Sequence, residues 1–174
     1  RMLGGNLVRI DVENARGENL TNGDLVGTKD GSAYGLVFDP QDENVFYFSN
    51  NDKHCIYKYD LRTKECACWA GQEGKSGYLD GPIGQAMFNK PGQMCVDSEG
   101  NIILTDTENH CIRKITMSTG YVSTLAGKPQ NSGYVNGSAE DAQFKKPLGI
   151  CIDNDDVMYI GDSENRAIRR LAVE

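Results

Sequence analysis

Three short polar segments carry side chains of the kind that do chemistry. They are Asp52 with His54; Asp106, Glu108 and His110; and Asp162, Glu164 and Arg166. Carboxylates beside imidazoles suit proton transfer or metal ligation. Together these residues would form an acidic, hydrogen-bonding rim. Their repetition points the other way. A catalytic constellation needs different residues converging on one reacting atom, and here the same types recur at one interval. An Asp at a strand end accepts turn N–H groups, and an Asn tolerates a left-handed backbone. His54 and His110 hold equivalent places in successive repeats, too far apart to share an ion. No catalytic residue, metal or cofactor is assigned.

The elements that carry these residues follow from an internal period. Cys55 to Cys111 and Cys111 to Ala167 are each 56 residues, as are Phe88 to Phe144 and Asp97 to Asp153. Such periodicity is the mark of a repeat architecture. The middle unit offers four strands: 94–97, 102–106, 111–116 and 121–126. Gly100 and Gly120 stand in turns between them. Ile112 and Ile115 break strict alternation on one face, which suggests a bulge. Four antiparallel strands per repeat predict a blade of a β-propeller. An insertion at 40–44 shifts only the first strand of the earliest unit.

Long connections, 127–147 and its earlier counterpart, join one unit to the next. Ser138 with Asp141 resembles a capping box, and Pro82 suits a first helical position, so a helix of one or two turns is expected in each. Phe144 should pack inward. Tyr78 and Tyr134 recur in these connections. Their rings would suit stacking on a sugar, although packing against the next blade is the favoured role. Residues near the ring axis come from first strands and their entry loops: Tyr34, Gln93 and Leu148, beside Lys90 and Lys146. Gln93 is the candidate to face a ligand there. No nucleophile is paired with a base, and no Gly-rich phosphate loop is present.

The ends read as incomplete blades. Strands are expected at 5–12 and 24–27, then at 149–153, 157–161 and 167–173. The organisation is a partial N-terminal blade (1–31), two blades (32–91 and 92–147) and a three-stranded blade (148–174). That is too few for a ring of four to eight, so a longer chain or a second copy is expected to complete it. The chain begins with Arg1, so a leader, an anchor or upstream domains are expected ahead of it.

Charge and cysteine usage narrow the functions. Eighteen basic against 25 acidic residues give a net charge of −7. Phosphate neutralisation drives nucleic-acid binding, so this acidic chain is a poor candidate for it. No apolar run is long enough to span a bilayer, and no membrane insertion by this chain is expected. The six cysteines are expected to be thiols. Cys55 and Cys111, like Cys95 and Cys151, occupy equivalent places in different sheets. Cys66 and Cys68 have no second pair to complete a tetrahedral metal set.

Specific residues also carry a family resemblance. The run Val96-Asp97-Ser98-Glu99-Gly100-Asn101-Ile102-Ile103-Leu104-Thr105-Asp106, followed by Asn109-His110-Cys111-Ile112-Arg113-Lys114, resembles an NHL repeat. The resemblance covers about 33–174. Asn50 replaces the strand-end Asp in the first unit, Arg166 replaces His in the last, and Cys55 and Cys111 stand where Arg is common. It implies an all-β, partial β-propeller of NHL-type four-stranded antiparallel blades, about three of a six-bladed ring. The Gly-Tyr-x-Asp/Asn-Gly connection is similar to extracytoplasmic NHL proteins of Bacteroidetes-type bacteria, which implies a periplasmic or cell-surface location. The expected function is a non-enzymatic interaction module whose face loops hold a protein or glycan partner. The alternative is a metal-dependent lyase or lactonase with its site at the axis.

Overall fold

A computed structural model describes residues 8–11, 13, 16–19 and 33–172. Strands β1 (Val8–Asp11) and β2 (Arg16–Asn19) pair antiparallel as a two-stranded sheet. The expected strand at 24–27 lies outside the described residues. β2 was not anticipated; its sequence, Arg-Gly-Glu-Asn, has no apolar residue to mark it as a strand.

The first full blade holds β3 (Ala33–Asp39), β4 (Asp42–Asn50), β5 (Cys55–Asp60) and β6 (Cys66–Gly71), in that order. A two-residue strand, β7 (Gly81–Pro82), follows in the long connection. The next sheet comprises β8 (Pro91–Val96), β9 (Ile102–Asp106), β10 (Cys111–Thr116) and β11 (Tyr121–Ala126). β7 pairs with the outer strand β11, making five strands rather than four and covering an edge. The last sheet has β12 (Pro147–Ile152), β13 (Met158–Asp162) and β14 (Ala167–Leu171). First strands β3, β8 and β12 lie side by side, which puts them innermost.

Two apolar layers glue the three sheets. Val45, Tyr47 and Ile56 meet Phe88, Met94, Ile102, Leu104 and Ile115 between the first and second blades. Ile103 and Ile112 meet Phe144, Ile150, Met158 and Ile160 between the second and third. Strict alternation therefore holds on β10: Ile112 and Ile115 point to opposite faces, and both faces are buried. A register irregularity does occur, but it lies in the β10–β11 pairing, where Leu125 is the extra residue.

The long connections are not helical. Ser138 Oγ accepts the Asp141 N–H at 3.2 Å and the Ala142 N–H reaches the Ser138 carbonyl at 2.9 Å, which amounts to one turn. The backbone bridge Val135–Gln143 brackets that turn and leaves no length for a helix. Leu79–Met87 does the same in the earlier connection, where Pro82 sits in β7 instead of opening a helix. All six cysteines are free thiols; Cys55 and Cys111 are buried, and Cys151 is exposed.

Candidate functional site

The polar segments after β4, β9 and β13 do gather with the long connections, but their carboxylates are not all on a rim. Asp106 and Asp162 are fully buried. Asp106 accepts the Asn89 N–H at 2.8 Å, Asn109 Nδ2 at 2.9 Å and Arg113 Nη1 at 2.7 Å. Asp162 repeats this with the Lys145 N–H, Asn165 Nδ2 and Arg169 Nη1 at 2.7, 2.8 and 2.9 Å. Burial pushes the Asp106 carboxyl up to about 6, against the pull of Arg113, Asn109 and the Asn89 N–H. Burial disfavours the Arg113 charge as well, but the neighbouring groups, Asp106 foremost among them, together raise the guanidinium above its ordinary value.

Arg113 and Arg169 were not foreseen as site residues, and they organise the face. Arg113 Nη1 donates to the Met87 carbonyl and Nη2 to the Leu79 carbonyl, both in the preceding connection. Arg113 Nη2 also meets Asp80 at 2.6 Å. The guanidinium lies between the rings of Tyr78 and Phe88, at 4.8 and 5.2 Å. Arg169 copies the arrangement with the Gln143 and Val135 carbonyls and with Tyr134 and Phe144, both at 5.0 Å. Asn109 Nδ2 and Asn165 Nδ2 hold the Gly77 and Gly133 carbonyls of the same connections. The detectable signal was the spacing Asp106-x-x-Asn109-x-x-x-Arg113, repeated as Asp162, Asn165 and Arg169.

The remaining candidates divide. Short 3-10 turns at Thr107–Asn109 and Ser163–Asn165 end in left-handed His110 and Arg166, at φ 59° and 53°. His54 Nδ1 accepts the Lys90 N–H, and His110 Nδ1 accepts the Lys146 N–H, each at 3.1 Å. Each imidazole thereby ties its blade to the entry of the next. Burial holds His54 below its ordinary value, with Lys90 adding and Asp52 opposing. Arg166 carries only donors and cannot take such a bond. Glu108 and Glu164 share Lys146, at 3.3 and 3.1 Å. Asp52 is exposed beside His54. Gln93 is exposed on β8, and its amide oxygen reaches over Gly149 of β12. Tyr78 is half-buried, with its hydroxyl 2.7 Å from Thr124 Oγ1. Tyr134 is 60% exposed, and Val135 beside it and Leu79 on the earlier connection are exposed as well. Among the described residues no three His, Cys, Asp or Glu side chains are grouped to hold a metal ion.

Radially fanned antiparallel sheets with innermost first strands define blades of a β-propeller. Residues 88–115 match the NHL repeat family model. The blades are those of an NHL-repeat β-propeller. The chain is 30% identical over 152 residues to NHL repeat-containing protein 2 of Gallus gallus, covering 86% of this chain and 19% of that protein. It superposes on a protein of unknown function from Bacteroides thetaiotaomicron with TM-score 0.86 and 28% identity, covering 99% of this chain and 43% of the other. An auxiliary nutrient binding protein of the same organism gives TM-score 0.77 and 29% identity, covering 97% and 43%. The chain thus spans less than half the length of each of these relatives. A streptogramin B lyase (TM-score 0.61, 14% identity) and a Xanthomonas campestris gluconolactonase (0.67, 13%) share the fold alone.

Proposed function

We propose that this chain is a non-enzymatic binding module whose long connections form a rigid platform for a protein or glycan partner, in an extracytoplasmic setting. One observation carries this reading. Asp106, Asp162, His54 and His110 are engaged in fixing backbone, while Tyr134, Leu79 and Val135 stay exposed on the connections. A ring supported on one face by Arg169 offers its other face to an apolar sugar surface or a partner side chain. Similarity to an auxiliary nutrient binding protein supports binding. Among the described residues no helix is long and apolar enough to cross a membrane. Titration calorimetry of the purified chain against a panel of oligosaccharides, with Tyr134→Ala as control, tests the glycan arm. Binding that Tyr134→Ala leaves unchanged would remove this platform from the reading.

A second reading, a lyase or lactonase with an axial metal, is favoured by the shared fold of such enzymes. Stoichiometric zinc or calcium by elemental analysis, together with lactone hydrolysis, would establish it over the binding role.

A further inference from the structure

The near face of the first full blade carries a thiol pair that the rim does not use. Cys55 lies on β5 and Cys68 on the adjacent β6. The strands pair Cys55 with Gly71 and Ile56 with Ala70, then shift so that Tyr57 faces Cys68. Trp69 is the extra residue, and the bulge turns Cys68 back toward Cys55. Both side chains converge on Gly71. A Cβ there, at φ +95°, would sit 3.2 Å from both Cα and Cβ of Cys55. Cys68 Sγ is 3.7 Å from the Gly71 carbonyl oxygen. The two thiols belong to one aromatic cluster with Phe46, Phe48 and Tyr57.

The second blade supplies an internal contrast. It has the same bulge, with Leu125 in the place of Trp69. There Cys111 has Thr124 as its counterpart to Cys68, and the Thr124 hydroxyl is occupied by Tyr78 and Asp80. Among the described residues, only the first blade places two cysteines across this bulge.

We infer that Cys55 and Cys68 form a reversible cross-strand disulfide, with a small-molecule disulfide as oxidant. Cys68 is half-buried and can be reached, whereas Cys55 is fully buried. Interaction with Cys55 holds Cys68 below the ordinary thiol value, while Cys68 and burial push Cys55 up. The Cys68 thiolate attacks one sulfur of the oxidant, breaking its S–S bond and releasing one thiolate. Cys55 then loses its proton and attacks Cys68 sulfur in the mixed disulfide, expelling the second thiolate. The protein gives up two electrons and two protons, and the oxidant leaves as two thiols. The product ties the outer strand β6 to β5.

Oxidised glutathione is the test reagent, followed by alkylation of remaining thiols and peptide mapping without reduction. Four of the six cysteines should be alkylated, with 54–58 linked to 65–75. Because Cys66 and Cys68 share the second peptide, Cys66→Ser must keep the link and Cys68→Thr must lose it. Threonine is the residue the second blade carries at that position, so the fold should tolerate it. Six alkylated thiols, a lasting glutathione adduct on Cys68, or a link that survives Cys68→Thr would each overturn the assignment.

Discussion

The first and second full blades solve one packing problem in two ways. At the end of the second strand the second blade has Asp106, then Asn109, then Arg113; the first has Asn50, Lys53 and Tyr57 at the same offsets. Asn50 Oδ1 caps its own turn, accepting the N–H groups of Asp52 and Lys53 at 3.1 and 3.0 Å. Tyr57 stacks on Phe48 with centroids 5.3 Å apart, where Arg113 reaches into the preceding connection. The three positions change together, which identifies them as one unit. In the first blade Asn50 caps the turn that follows its strand. In the second the charged pair pins an incoming loop. The ion pair is therefore an anchor, and its absence from the first blade shows that the blade itself does not require it.

Breaking the anchor gives the largest expected effect. Arg113→Ala leaves Asp106 buried and unpaired and should cost about 3–5 kcal/mol, read as a lower urea midpoint. A midpoint within error of wild type would return Asp106 and Arg113 to the list of reactive groups. Phe144→Ala should cost roughly as much, about 3–5 kcal/mol, through the cavity left between the second and third blades. The transplant Asp106→Asn with Arg113→Tyr sharpens the contrast. It should recover much of the stability lost in Arg113→Ala while leaving the 72–88 connection more open to proteolysis. Equal protease resistance in transplant and wild type would contradict the loop-pinning role.

Smaller effects belong to the blade junctions. Ser49 Oγ donates to the Gly92 carbonyl at 2.6 Å, and Thr105 Oγ1 donates to the Leu148 carbonyl at 2.9 Å. Ser49→Ala or Thr105→Val should each cost about 1 kcal/mol in the same denaturation assay. The smallest effect is that of His54. Its value lies below the ordinary 6.5 because of burial, so the unfolded chain binds a proton first as pH falls. The stability that neutral His54 supplies is full above 6.5 and is lost as pH falls from there through the lower folded value. Asp106, pushed up by burial, works with the opposite sign, so the quantity to measure is wild type minus His54→Gln across pH. A difference that stays flat through this range would remove His54 from the junction.

Much of the architecture could be read from the chain because apolar alternation and a fixed period both survive in the sequence. Strands β9, β10 and β11 fall where the pattern put them, and β9 is buried on both faces. The site was less legible. Arg113 was noted only within the repeat-like run, and it is the folded connection that supplies the carbonyls and rings that bury it. Asp106 read as a turn residue for the same reason: its partner lies seven residues away, across a hairpin. The helix expected near Ser138 failed because capping signals describe one end of an element, not its length. Nothing in 77–88 or 133–144 announced the backbone bridges that limit it.

Apart from the Arg113–Asp80 pair, the anchoring bonds from Arg113, Arg169, Asn109 and Asn165 to the connections end on main-chain oxygens of Gly77, Leu79, Met87, Gly133, Val135 and Gln143. Main-chain oxygens are the same whatever residue bears them. The exposed side chains at 79 and 135 can therefore be randomised, as in a combinatorial library, while the grip on their backbone persists. Recognition can diversify on these blades without renegotiating the scaffold.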